Sequence, residues 1–328
     1  MSLVKRGLSV YRQRGWTAFL KQTTKFIQAK IPLIKNPESK GYPKEISKIG
    51  ELSDDEILGI IRHEAHRIEK AVYNDIIEEK RSYYQSKKKR VENCIQVLEQ
   101  RGYPTDNPTL SWAEDIIKMG GSNKEFVENN RIQPPDKDLS KLDSYINFIS
   151  TRRSTRVWKD DQPDDGTWIE IGEKMIEAAT WAPHSGNRQS WKFLLMTEDS
   201  EREPLGVIKE EHTMAAPLLI FVGMDGRLYG DVADSETGVY IDAGAAAMQM
   251  INVAHHAGVG TCWNHFGRDL IDSREQNKQA YTKFREIHDI PPYIEPIAIV
   301  AVGMPEYIPP TPPRPQLNNL LLDQEYKK

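Results

Sequence analysis

APHSGNRQSWKFLLM, residues 182–196, passes from a helix end through a donor-rich loop into an apolar strand. Ala182 closes an Ala-rich helical stretch, and Pro183 and Gly186 break it. His184, Ser185, Asn187, Arg188, Gln189 and Ser190 then crowd hydrogen-bonding side chains into one turn. Such a loop can meet a polar heterocycle edge-on while Trp191 anchors the following strand in the core. An ordinary helix-to-strand turn is the plainer alternative.

Working outward, further β-prone apolar runs lie at 217–224, 259–266 and 296–302. Helical stretches near 167–181, 238–257 and 269–287 separate them. From residue 151 onward this is an α+β pattern around one sheet. Pro309, Pro310, Pro312, Pro313 and Pro315 keep the tail extended. Upstream, residues 1–140 read as an all-helical extension. Ser53 with Glu56 forms a capping-box signature that opens a helix expected to run from 54 to about 100, and Ser111 with Glu114 opens a shorter one through Lys118.

The first 37 residues carry eight lysines or arginines and no acid, with apolar residues at helical spacing. A basic amphipathic helix of this kind packs on protein or lies on a membrane surface, which makes residues 1–35 a candidate peripheral membrane contact. The whole chain is otherwise ordinary. With 328 residues, 38% hydrophobic and 28% charged content and a formal charge of −4, it has no overall attraction to nucleic acid. No run spans a bilayer, no continuous apolar signal opens the chain, and two distant cysteines, Cys94 and Cys262, suit a reducing, cytoplasmic setting. His63 and His66 sit three apart on a charged helix without a third obvious ligand, so no metal site is expected.

Two more segments complement the 182–191 loop. Thr151-Arg152-Arg153-Ser154-Thr155-Arg156 sets three guanidinium forks beside hydroxyls, a pairing suited to phosphate oxygens. Gly258-Val259-Gly260-Thr261-Cys262-Trp263-Asn264 follows a helix rich in small residues, and its glycines free backbone amides to face a bound ring. Either segment alone has a bland reading, as a solvated helix end or as core packing.

The order of these three segments, followed by Val302-Gly303-Met304-Pro305 and Pro312-Pro313-Arg314-Pro315, resembles the FMN-dependent nitroreductase family over roughly 148–322. The resemblance implies an α+β sandwich with a central mixed sheet flanked by helices in residues 148–328, assembled as an intertwined homodimer. By the same likeness Arg152, Arg153, Ser154 and Arg156 meet the FMN phosphate and ribityl chain, and Arg314 closes on the phosphate. Pro183, His184, Ser185, Asn187 and Gln189 touch the flavin, some of them across the dimer interface. Cys262, Trp263 and Asn264 bring backbone amides to the ring. His184 stands where the family usually has serine, and Ser190 where it usually has proline.

The activity implied is transfer of electrons from NADH or NADPH through FMN to a small organic acceptor such as a nitroaromatic or quinone. A cation must stabilise the anionic reduced ring; Arg188 is the first candidate and Lys209 the second. His184 is a candidate proton donor, or else a backbone hydrogen-bonding residue. Two alternatives keep the same segments: an FMN-dependent dehydrogenase or tailoring enzyme acting on a metabolite, and a flavin-binding interaction module docked on a membrane or partner.

Overall fold

The computed structural model describes residues 42–74, 77, 79, 81–120, 132–229 and 237–322. The basic run at 1–37, and with it the expected membrane or partner contact through 1–35, lies outside them. Helix α1 (Asp54–Tyr73) opens on the expected capping box: the Ser53 hydroxyl accepts from the Glu56 amide, and Glu56 accepts from the Ser53 amide at 3.1 Å. The single helix expected over 54–100 is instead two. α1 ends at Asn74, whose side-chain amide donates to the Lys70 carbonyl at 2.6 Å, and α2 (Arg81–Gln100) returns antiparallel. The antiparallel order follows from the pairing of Asp54 with Arg101 and of Glu64 with Lys87 and Arg90. The charged stretch from Glu78 to Arg90 holds no proline or glycine to mark a break, so the sequence pattern alone does not register the reversal.

Helix α3 (Pro108–Gly120) begins three residues ahead of the Ser111 signature. Pro108 at the first helical position has no N–H to leave unpaired, and the Asn107 side chain accepts from the Thr109 amide at 2.9 Å. The three helices share a core that includes Ile57, Ile61, Ile68, Val91, Leu98 and Ile116. Helix α4 (Ser140–Thr151), not predicted above, buries none of its residues and exposes Leu142, Tyr145, Ile146 and Ile149.

Beyond it come α5 (Asp165–Ala179), β1 (Trp191–Met196), β2 (Leu218–Asp225), α6 (Gly238–His256), β3 (Gly260–His265), α7 (Glu275–Ile287) and β4 (Ile294–Gly303). The strands run in the order β1-β2-β4-β3, each pair antiparallel. The four strands are thus antiparallel where a mixed sheet was expected, and the parallel pairing is a single isolated bridge from Ser154 to Thr261 at the β3 edge. Leu218, Ile220, Val222 and Met224 of β2 face α5 and α6, whereas Leu219 and Phe221 face α7 with Phe266, Tyr281 and Phe284. With both sheet faces covered, the central strands are continuous apolar runs instead of alternating ones.

The helical extension docks on the turns at the β1–β2 end of the sheet. Gly59 of α1 lets Leu228 approach so closely that a Cβ there would collide with the leucine methyls. Arg227 bridges the two parts: it bonds buried Asp225 at 2.6 Å and Glu56 of α1 at 3.0 Å, and stacks on the Tyr293 ring. Replacing Arg227 by alanine strands the Asp225 carboxylate without its cation. Urea unfolding should then show a loss of about 3–5 kcal/mol, the usual cost of breaking one side of a buried pair.

Candidate functional site

Two groups of the expected site residues lie at opposite ends of α6. At its C-terminal end Thr151 bonds His255 at 2.9 Å, the Thr155 amide donates to the Thr261 carbonyl at 2.9 Å, and Ser154 bridges to Thr261. These contacts draw the arginine-rich segment against the glycine-rich start of β3. A cavity of about 120 Å3 lies between them, lined by Arg152, Arg153, Thr155, His255, Gly258–Thr261, Pro305 and Ile308. Arg153 donates to the Ser150 and Arg152 carbonyls and to the Thr311 hydroxyl, while its Nε is buried with no hydrogen-bond partner among the described residues. The Thr311 contact brings in the tail; Arg314, three residues on, is exposed and donates to the Pro312 and Pro313 carbonyls at 3.3 Å. Arg156 is exposed as well.

At the N-terminal end of α6 stands the 183–190 loop. Asp242, nearly buried, organises it: one carboxylate oxygen accepts from the Ser185 amide and hydroxyl at 3.0 and 2.9 Å, the other from Tyr229 at 2.7 Å and from His184 Nδ1 at 3.1 Å. The Ser190 amide donates to His184 Nε2 at 3.1 Å, so that nitrogen is unprotonated and the imidazole is neutral with its proton on Nδ1. Burial lowers the His184 pKa in the same direction, partly opposed by Asp242. Ser190, His184 and Asp242 have the connectivity of a hydrolase triad, but Ser190 is fully buried and no substrate can reach it. Pro183 and Gln189 remain exposed, and Asn187 half-exposed.

Arg188 is turned inward. It is 2% exposed and donates from Nε to Tyr42 at 3.1 Å, from Nη1 to the Ser185 carbonyl at 2.8 Å and from Nη2 to the Tyr229 carbonyl at 3.3 Å. Neither Arg188 nor His184 therefore presents its side chain to an open surface within this chain. Lys209 is also buried, over the Phe266 ring and bonded to the His265 carbonyl, and burial pulls its pKa down to about 8.

On β3, Cys262 and Asn264 point into the α7 side. Burial pushes the Cys262 thiol up, with the Arg156 guanidinium opposing, so it is held as a neutral thiol. Asn264 accepts from the Thr213 hydroxyl at 3.0 Å. Trp263, between them, faces outward at the sheet edge and is 36% exposed.

Asp242 and His255 are thirteen residues apart on one helix, a separation of roughly 20 Å at 1.5 Å per residue. The structure thus brings Arg152, Arg153, Ser154 and the 258–261 turn together, with Thr311 of the tail. It holds Pro183–Gln189 away from them. Sequence reasoning weighed His63 only as a metal ligand and did not foresee the loop-holding contacts of Asp242, Tyr229, Tyr42 or His63, because each acts through a contact distant in the chain. His66 pairs with Glu69 at 2.8 Å, whereas His63 is buried and reaches the Gly186 carbonyl at 3.1 Å.

The profile of the nitroreductase family matches residues 149–213 and 205–304. A protein of Archaeoglobus fulgidus, named as a candidate NADH dehydrogenase/NAD(P)H nitroreductase, is 31% identical over 170 residues, which cover 50% of this chain and 87% of that protein. A crystal structure of a candidate nitroreductase in complex with FMN from Desulfovibrio desulfuricans aligns at 24% identity over 54% of this chain and 95% of its own, with a TM-score of 0.42. A nitroreductase family protein from Streptococcus pneumoniae aligns at 17% identity over 55% and 99%, with a TM-score of 0.45.

Burial pulls the His63 pKa from its usual 6.5 to about 3, and lowers that of His184. The unfolded chain takes up protons below its ordinary histidine pKa that the folded chain refuses, so this contribution to stability is intact above pH 6.5 and is lost as the pH falls toward 3. The urea midpoint should drop between about pH 7.5 and 5, and His63→Gln should remove part of that slope.

Proposed function

Because the chain belongs to the nitroreductase family, we propose that it is an FMN-dependent oxidoreductase working as a homodimer, taking electrons from NADH or NADPH and giving them to a small organic acceptor. The observation that carries this reading is the cavity between Arg152, Arg153 and the 258–261 turn. At about 120 Å3 it suits a phosphate group and is too small for a flavin ring. It is walled by two guanidinium groups and a glycine-rich turn, and the buried Arg153 Nε stands without a partner among the described residues. A dianionic phosphate ester fits this donor set.

When bound, FMN supplies the redox chemistry, accepting hydride from the nicotinamide and passing electrons on. The chain's own residues hold and orient it. Arg152, Arg153 and Ser154 would grip the phosphate, with Arg156 and Arg314 closing from the surface. Trp263, on the outer side of β3, and the neighbouring backbone at Cys262 and Asn264 would border the ring. Ser185, Asn187 and Gln189 would meet the ring from a second copy, since one FMN cannot bridge the length of α6 within a single chain. Exposed apolar residues on α4, with Ile241 and Met248 of α6 and Leu317 and Leu320 of the tail, support such a twofold pairing. His184 and Arg188 act from behind the loop as positioning residues. The acceptor is a nitroaromatic, quinone or related compound.

Purified chain should be yellow, sediment as a dimer, and lose its flavin absorption anaerobically on addition of NADH or NADPH. Arg153→Ala should weaken FMN binding roughly 10- to 100-fold, since a hydrogen bond to a charged group contributes about 1.5–3 kcal/mol. A colourless chain that takes up no added FMN would refute the assignment.

A further inference from the structure

Loop 184–190 is held in an unusual backbone conformation. Gly186, Asn187 and Gln189 all have left-handed φ, at 60°, 53° and 55°. Glycine adopts this region freely and asparagine tolerates it, but glutamine does not, and such a run persists only where its surroundings over-determine it. From the sheet side, Asp242 fixes Ser185 and His184. On the opposite side the described contacts come from the helical extension. Arg62 Nε donates to the Arg188 carbonyl at 3.0 Å and His63 Nδ1 to the Gly186 carbonyl at 3.1 Å. The Tyr42 hydroxyl accepts from Arg188 Nε at 3.1 Å and donates to the Leu228 carbonyl at 2.5 Å. A Cβ at Gly186 would run into the His63 ring, so the contact is one of shape as well as of hydrogen bonding.

The bonds to Gly186 and Arg188 are separate from those that fasten the extension to the sheet. Arg227 with Glu56, Lys192 with Asp55, and Leu228 against Gly59 join the two parts without touching the 184–189 backbone. The loop-directed trio is therefore surplus to simple attachment. Its chemistry is also steady: His63, with its pKa held near 3, stays a neutral single-proton donor over the ordinary pH range.

We propose that the helical segment 42–120 is a positioning device for this loop, with Tyr42, Arg62 and His63 as the positioning residues that hold Ser185, Asn187 and Gln189 in the geometry in which they meet the flavin. The proposal rests on the reading that the loop carries flavin contacts. It gives the extension, which lies outside the span matched by the family profile, a part in the reaction rate.

The test uses the full chain with FMN bound and compares His63→Leu, which cannot donate to the Gly186 carbonyl, with His63→Gln, which can. Hydrogen exchange of the 184–190 amides reports the loop without reference to flavin, and stopped-flow reduction by NADH reports its effect. His63→Leu should raise exchange in 184–190 by about tenfold and slow flavin reduction by about tenfold or more while FMN stays bound, since small displacements of orienting groups carry rate penalties of that size. His63→Gln should restore most of both. Unchanged loop exchange in His63→Leu, or a loosened loop with an unchanged reduction rate, overturns the proposal. Should His63→Leu not fold, Tyr42→Phe removes only the bridging hydroxyl and is read by the same two measurements. A wild-type chain that binds no FMN refutes the cofactor assignment, and the exchange arm then decides alone whether the segment holds the loop.

Discussion

The Asp242 carboxylate is the point on which the geometry turns. It accepts from Ser185 twice, from Tyr229 and from His184, and it does so from the first turns of α6, a helix whose other face is built into the sheet core. A buried carboxylate is tolerable only when its lone pairs are used, and here four donors use them. The rigidity of the sheet is thereby passed to a loop that has no regular structure of its own. Tyr229 is part of the same arrangement: burial and the adjacent carboxylate push its pKa well up, which keeps it a donor.

Much of the architecture was readable in the chain because it rests on local rules. The run 191–196 is a strand as predicted, and the other three strands fall within two residues of expectation, since apolar β-prone residues between turn formers have few other uses. The Ser53–Glu56 box is formed for the same reason: its partners are three residues apart. Where a choice depended on distant residues, spacing failed. The reversal between α1 and α2 is settled by antiparallel pairing of Glu64 with Lys87 and Arg90, and α4 has no buried face for periodicity to reveal.

The site was legible as a set of residue types and illegible as an arrangement. Arginines beside hydroxyls suggested phosphate, and Arg152 and Arg153 do line a small cavity. The polarity of 182–191 suggested a ligand loop, yet most of that polarity is spent inward: His184 and Ser185 on Asp242, Ser190 on His184, and Arg188 on Tyr42 and two backbone carbonyls. A sequence does not say which donors are already committed. The left-handed backbone was signalled only in part, by Gly186 and Asn187, and not at all at Gln189.

In the homodimer proposed above, the span of α6 would have a consequence for inheritance. If each chain lends its arginine end to one site and its loop end to another, a defect at either end spoils only half of each shared pocket. Two differently damaged polypeptides, each inert when paired with its own kind, would together assemble one intact pocket and one doubly broken one. Selection would then act on couples, and alleles crippled at opposite ends of this helix would rescue one another in a cell that makes both.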